Sequence, residues 1–165
     1  MVRNISTMVL ALILVVGTSY AQTQSPDLKN LEKEAGRLDA DAAKMSGSDA
    51  PLVAISKQLG IPIDTLKNEK QSTNFGYGQL FIANALAQST GKSFDQLAQE
   101  FQQGKGWGEI AKENGVKLGH VVSGIKHADK QMKHEHQSQL RAQHNMAAQQ
   151  NRASGHSPVR KGSKR

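Results

Sequence analysis

The chain has 165 residues, no cysteine, 4% aromatic residues and 21 Lys+Arg against 14 Asp+Glu, for a formal net charge of +7. That length fits one domain, or one domain with tails. The lack of cysteine excludes a disulfide scaffold, a thiolate zinc site, an iron–sulfur cluster and cysteine nucleophile chemistry, and the scarcity of aromatics predicts a modest, aliphatic core.

Residues 1–21 carry Arg3, an apolar run from Met8 to Gly17, and Ser19 and Ala21 at positions −3 and −1 of a cut before Gln22. This is the pattern of a secretory signal peptide. The run is shorter than the roughly 20 apolar residues of a membrane span, and no Cys follows it to carry a lipid. The protein is therefore expected to be exported, periplasmic or secreted. Beyond the leader, residues 22–119 hold 11 basic and 12 acidic side chains, whereas residues 120–165 hold 9 and 2 and all six histidines. A near-neutral body with a basic, His- and Gln-rich tail follows.

Residues 22–46 predict an N-terminal helix. Ser25 can cap it, Pro26 suits its first position and Asp27 suits its first turn. Leu28, Leu31, Ala35, Leu38, Ala42 and Met45 draw one apolar seam along it. Ser46-Gly47-Ser48-Asp49 breaks the helix.

From Leu52 the chain repeats the pattern h-x-x-h-[AS]-x-x-x-G-x-x-h-x-x-h, with h apolar. The copies centre on Gly60 (Leu52, Ile55, Ser56, Ile63, Leu66), Gly91 (Ala83, Leu86, Ala87, Phe94, Leu97) and Gly115 (Trp107, Ile110, Ala111, Leu118, Val121). Each copy predicts a helix, a left-handed Gly that ends it, and a second helix. Their starts are 31 and then 24 residues apart, which excludes a regular solenoid. Glycine loops with aromatics, Asn74–Gly78 and Gly104–Gly108, lie between the copies. Strand signals are nearly absent. The predicted fold is all-α: an irregular bundle of short helices over 50–125, built from three degenerate helix-turn-helix-like units, with the N-terminal helix docked on it. A polar basic helix over 126–153 continues from Val122, Ile125, Ala128 and Met132, and loses its apolar face apart from Leu140 and Met146. Residues 154–165 are too polar to fold. Because the apolar repeat positions end near Ile125, the 50–125 head is expected to fold without the tail.

Four motifs bear on chemistry. The Ala-x-x-x-Gly turn resembles the helix-turn-helix of DNA-binding proteins, and the helix after Gly115 carries Lys117, His120, Lys126, His127, Lys130 and Lys133. Sequence-specific DNA is disfavoured as a partner, since an exported protein does not meet the chromosome. Ser89-Thr90-Gly91-Lys92-Ser93 ends like a P-loop but lacks its first Gly and a preceding strand, so it reads as a helix stop followed by a cap at Ser93. Glu69 before Gly76-Tyr77-Gly78-Gln79 resembles lytic transglycosylases, in which a catalytic Glu precedes a G-x-x-Q turn. That likeness implies a cell-wall (peptidoglycan) hydrolase, although the spacing is shorter here and the family's later Asn and Tyr motifs are missing. Finally, His120, His127 and His134 repeat every seven residues, about 10 Å apart on a helix. Together with His136 they are the weak metal candidates of a periplasmic His-tail metal-binding protein, with no H-x-x-x-H pair among them.

Gly76-Tyr77-Gly78-Gln79-Leu80 through Ala87, followed by Gly104-Lys105-Gly106-Trp107-Gly108-Glu109-Ile110-Ala111-Lys112-Glu113, resembles a group of small exported bacterial proteins of uncharacterised function. The likeness implies an envelope setting and no catalytic residue. The features together point to a non-enzymatic exported protein without a cofactor. Its basic residues Lys126, Lys130, Lys133, Arg141, Arg160, Lys161, Lys164 and Arg165 are expected to contact an anionic polymer or membrane surface, and a protein partner is also compatible.

Overall fold

The computed structural model describes residues 25–154, with side chains described through Gln150. The leader (1–21) and the basic end with Arg160, Lys161, Lys164 and Arg165 lie outside the described residues. The described chain is all-α, with no strand: α1 (Pro26–Ala43), α2 (Ala50–Leu59), α3 (Ile63–Thr73), α4 (Tyr77–Thr90), α5 (Phe94–Gln102), α6 (Trp107–Glu113) and α7 (Leu118–Ser154).

The helix ends have local causes. Ser25 Oγ accepts the Leu28 N–H at 3.3 Å, and Pro26 opens α1. Ser93 and Gln96 form a capping box at the start of α5, and Gly91 closes α4, so the Ser89–Ser93 run is a stop and a start. Gly60, Gly91 and Gly115 have φ of 69°, 73° and 67°, the left-handed conformation that ends a helix without a Cβ penalty. They separate α2 from α3, α4 from α5 and α6 from α7. The repeat positions Leu52, Ile55, Leu66, Ala83, Leu86, Phe94, Leu97, Trp107, Ile110, Leu118 and Val121 are buried.

α4 is the centre. Leu80, Phe81, Ile82, Ala83, Asn84 and Leu86 are buried on successive faces, which suits a helix enclosed on all sides. α1 crosses its N-terminal end, and α1 and α2 both lie along α7. At the α1–α4 crossing, Asp39 Oδ1 accepts the Gly78 N–H at 3.1 Å. A carboxylate from another helix thus satisfies one of the donors left free at the start of α4. A Cβ on Gly78 would stand 2.6 Å from the Ala35 carbonyl oxygen, and one on Gly76 would stand 2.7 Å from Asp39 Oδ1. Close helix approach therefore accounts for Gly76-Tyr77-Gly78.

The two glycine loops meet. Phe75 packs edge-on against Trp107 at 6.1 Å, Phe101 at 5.6 Å and Phe94 at 6.3 Å, and Trp107 stacks on Phe101 at 4.2 Å. Trp107 is a core residue, 6% exposed.

The separation of a 50–125 head from a 126–153 helix does not match the packing. α7 passes Ile125 and Lys126 without a break, and Ala128, Asp129 and Met132 are buried beyond it. α1 docks on the bundle as expected, with its Leu31 and Leu38 fully buried in the same core. The body comprises α1 to α6 and the first part of α7, held there by Met132, by the Lys57–Glu135 ion pair and by Ser48 Oγ donating to Gln139 Oε1 at 2.7 Å.

Candidate anion-binding surface

Position within α7 sorts its basic residues. α1 presents Glu34 and Asp41, seven residues apart, and α7 presents Lys126 and Lys133 with the same spacing. Lys126 Nζ lies 3.9 Å from Glu34 Oε1, and Lys133 Nζ lies 2.7 Å from Asp41 Oδ2 and 2.7 Å from Asp129 Oδ2. Two pairs with equal steps require α1 and α7 to run parallel. Arg37 stands between the helices, 4.0 Å from Glu34, 3.9 Å from Asp41 and 3.7 Å from Asp129. Lys133 is thus paired with two carboxylates that Arg37 shares, and Lys126 is turned toward Glu34. Lys130 is exposed with no ion pair among the described residues. It borders a cavity of about 360 Å³ shared with Glu34, Arg37, Lys126, Asp129 and Lys133.

This ladder responds to pH. Hydrogen bonds from Lys133 and then Lys44 hold the Asp41 carboxyl well below the usual carboxylate range. A depressed acid stabilises the fold above its ordinary value of 3.8, and that stability is lost as pH falls below it. Asp129 and Asp41 raise Lys133 above its ordinary 10.5, so its share persists below that value and is lost above it. Asp41→Asn should lower the melting temperature at pH 7 and shrink the difference between melting at pH 7 and at pH 3. An unchanged difference would show that Asp41 contributes nothing to the acid limb.

Past Gln139, α7 leaves the body. Every residue from Leu140 to Gln150, Arg141 included, is exposed. Leu140 and Met146 are 50% and 57% exposed; six residues apart, they point about 120° from one another around the helix. No acidic residue follows Glu135 in the sequence. The first part of α7 buries Val121, Val122, Ile125, Ala128 and Met132 against the body and leaves His120, Lys126, His127 and Lys130 exposed on its outer face.

The histidines do not converge. His120, His127 and His134 are exposed along α7, and His136 is half-buried beside the α1–α2 turn at Ser46–Ser48. Among the described residues no group of three potential metal ligands comes together. No described helix is long and apolar enough to cross a membrane.

Glu69 joins α3 to α4. Its Oε2 accepts from Asn84 Nδ2 at 2.7 Å, and Asn84 also donates to the Leu80 carbonyl at 3.1 Å. Burial pushes the Glu69 carboxyl up, the Asn84 bond partly offsets this, and the charge of Asp95 adds to the rise. A raised acid costs stability as pH climbs from its ordinary 4.5 toward its folded value. Glu69→Gln keeps an acceptor for Asn84 and removes the desolvated charge, so thermal melts should show it no less stable than the parent at pH 7. Glu69→Ala leaves the buried Asn84 amide short of a partner and should cost about 1 kcal/mol. If both variants melt alike, the Asn84 bond contributes nothing.

Sequence reasoning overlooked Glu34, Arg37 and Asp41. The available signal was the matching seven-residue step of acids in α1 and lysines in α7. Comparison with protein-family models, with curated proteins and with solved structures finds no match to this chain.

Proposed function

We propose that the chain is an exported, non-enzymatic interaction module that projects a basic helical arm from a packed helical body to bind an anionic polymer. One observation carries the proposal. α7 leaves the body after Gln139 fully exposed, in a stretch without a single acidic residue from His136 to the C-terminus. On the body, Lys126 and Lys133 face Glu34, Asp41 and Asp129, whereas the sequence from His136 onward adds Arg141, Arg152, Arg160, Lys161, Lys164 and Arg165 with no acidic residue among them. A polymer of oxyanion groups suits such an arm better than a lipid surface does. Leu140 and Met146 diverge around the helix, which leaves no apolar face to enter a bilayer. The leader and the likeness of Gly104–Glu113 to small exported bacterial proteins support an envelope setting.

Binding of this kind proceeds by counterion release and falls steeply with salt. Retention on heparin should be strong at low salt and lost at high salt, and removing residues 140–165 should abolish it at low salt. Equal retention with and without the arm would end the proposal. Retention on anionic liposomes but not on heparin would replace the polymer with a membrane.

A further inference from the structure

Where α7 departs, the body carries a second cationic feature. Ser48, which holds Gln139, is followed by Asp49, and the Asp49 carboxylate lies 3.8 Å from Lys67 Nζ. Leu52, Lys67, Lys70, Gln71, Asn74 and Tyr77 line an open cavity of about 380 Å³. That volume lies within the range of small-molecule sites. The charged groups lining it are both lysines, and the amides and the phenol add further donors. Lys70 Nζ sits 4.9 Å from the centre of the Tyr77 ring, a contact that holds the ammonium without neutralising it. Among the described residues the ion-pair partner of Lys67 is the largely exposed Asp49, a pairing that solvent screens. Asn74 ends α3 in the left-handed conformation, φ 58°, turning the chain directly into Tyr77. The Tyr77 hydroxyl, like any tyrosine protonated at neutral pH, can donate.

We propose that this cavity is a seat for a single oxyanion group, with Lys67 and Lys70 as its charged contacts. Resting on the arm's proposed role, the seat takes one such group from the polymer that the arm holds, since arm and cavity occupy the same end of the body. The seat would add a fixed contact to an otherwise non-selective charge attraction.

The test uses the purified full-length protein and probes too short to span the arm: a sulfated heparin disaccharide, inorganic triphosphate and digalacturonate. At least one should shift the Asn74 amide and Tyr77 ring resonances saturably, and the strongest identifies the oxyanion as sulfate, phosphate or carboxylate. Lys67→Ala with Lys70→Ala should weaken that binding at least about tenfold, as should Lys70→Gln to a lesser degree, while Arg141→Ala should leave it unchanged and still weaken heparin retention. Shifts confined to the arm, or shifts at Asn74 and Tyr77 that never saturate, overturn the seat and leave the arm's role standing. Saturable shifts at the cavity with heparin retention independent of residues 140–165 support the seat and end the role proposed for the arm.

Discussion

Gly78→Ala should lower stability by about 3 kcal/mol, the upper end of ordinary overpacking, or about 10 °C in melting temperature for a body of this size. The added Cβ would stand 2.6 Å from the Ala35 carbonyl oxygen and 2.8 Å from the Ala35 carbonyl carbon and Cα. These are backbone atoms of α1, so no side-chain rotation relieves the clash. α1 must lift away from α4, weakening the bond from the Gly78 N–H to Asp39 and loosening Leu31 and Leu38 from the core. Gly36→Ala supplies the control. Gly36 lies within α1, and a Cβ added there would meet nothing within 4 Å, so Ala should stabilise by about 0.5–1 kcal/mol. If Gly78→Ala melts at the parental temperature, the two helices do not cross this closely.

A chain ended after Ile125 should lose its cooperative thermal transition, whereas one ended after Leu140 should melt within a few degrees of the full chain. The first cut removes Ala128, Asp129 and Met132, all buried, and bares the faces of α1 and α2 that lie along α7. Emptying the Met132 site alone would cost about 2–5 kcal/mol, a large part of the roughly 5–15 kcal/mol that holds a typical domain together. Losing Lys133 also strands Asp41 without its nearest α7 partner. The second cut keeps Met132, Lys133, Glu135 and Gln139 and removes, among the described side chains, only exposed ones. Circular dichroism melts of the two chains decide the matter: a cooperative transition near the parental temperature for the chain ended at Ile125 would restore a self-sufficient 50–125 head.

The helices themselves were legible because the interactions that start and stop them reach only a few residues. Ser25 with Pro26, Ser93 with Gln96, and the left-handed Gly60, Gly91 and Gly115 act within one turn of where they stand. The apolar spacing in each repeat copy likewise fixes which face of a helix turns inward before any partner is chosen. That the last helix turns polar beyond Met132, apart from Leu140 and Met146, was legible for the same reason, but the expected boundary at residue 126 lies well before Leu140, where every described side chain becomes exposed.

Helix partnership and direction were decided by tertiary structure alone. Counting charge along the chain sets a neutral segment beside a basic one, but the parallel docking of α1 on α7 lays Glu34 and Asp41 against Lys126 and Lys133. The glycine loop Gly76-Tyr77-Gly78 could be read from the sequence, but that the backbone of Ala35 fills the space beside Gly78 was set by the α1–α4 crossing. The cavity at Lys67 and Lys70 draws on α2, α3 and α4 together. Local rules fix each helix, but ion pairs, close crossings and cavities depend on the relative placement of residues as far apart as Ser48 and Gln139, 91 positions distant. That placement is set by burial of the whole core, which no short window of sequence contains.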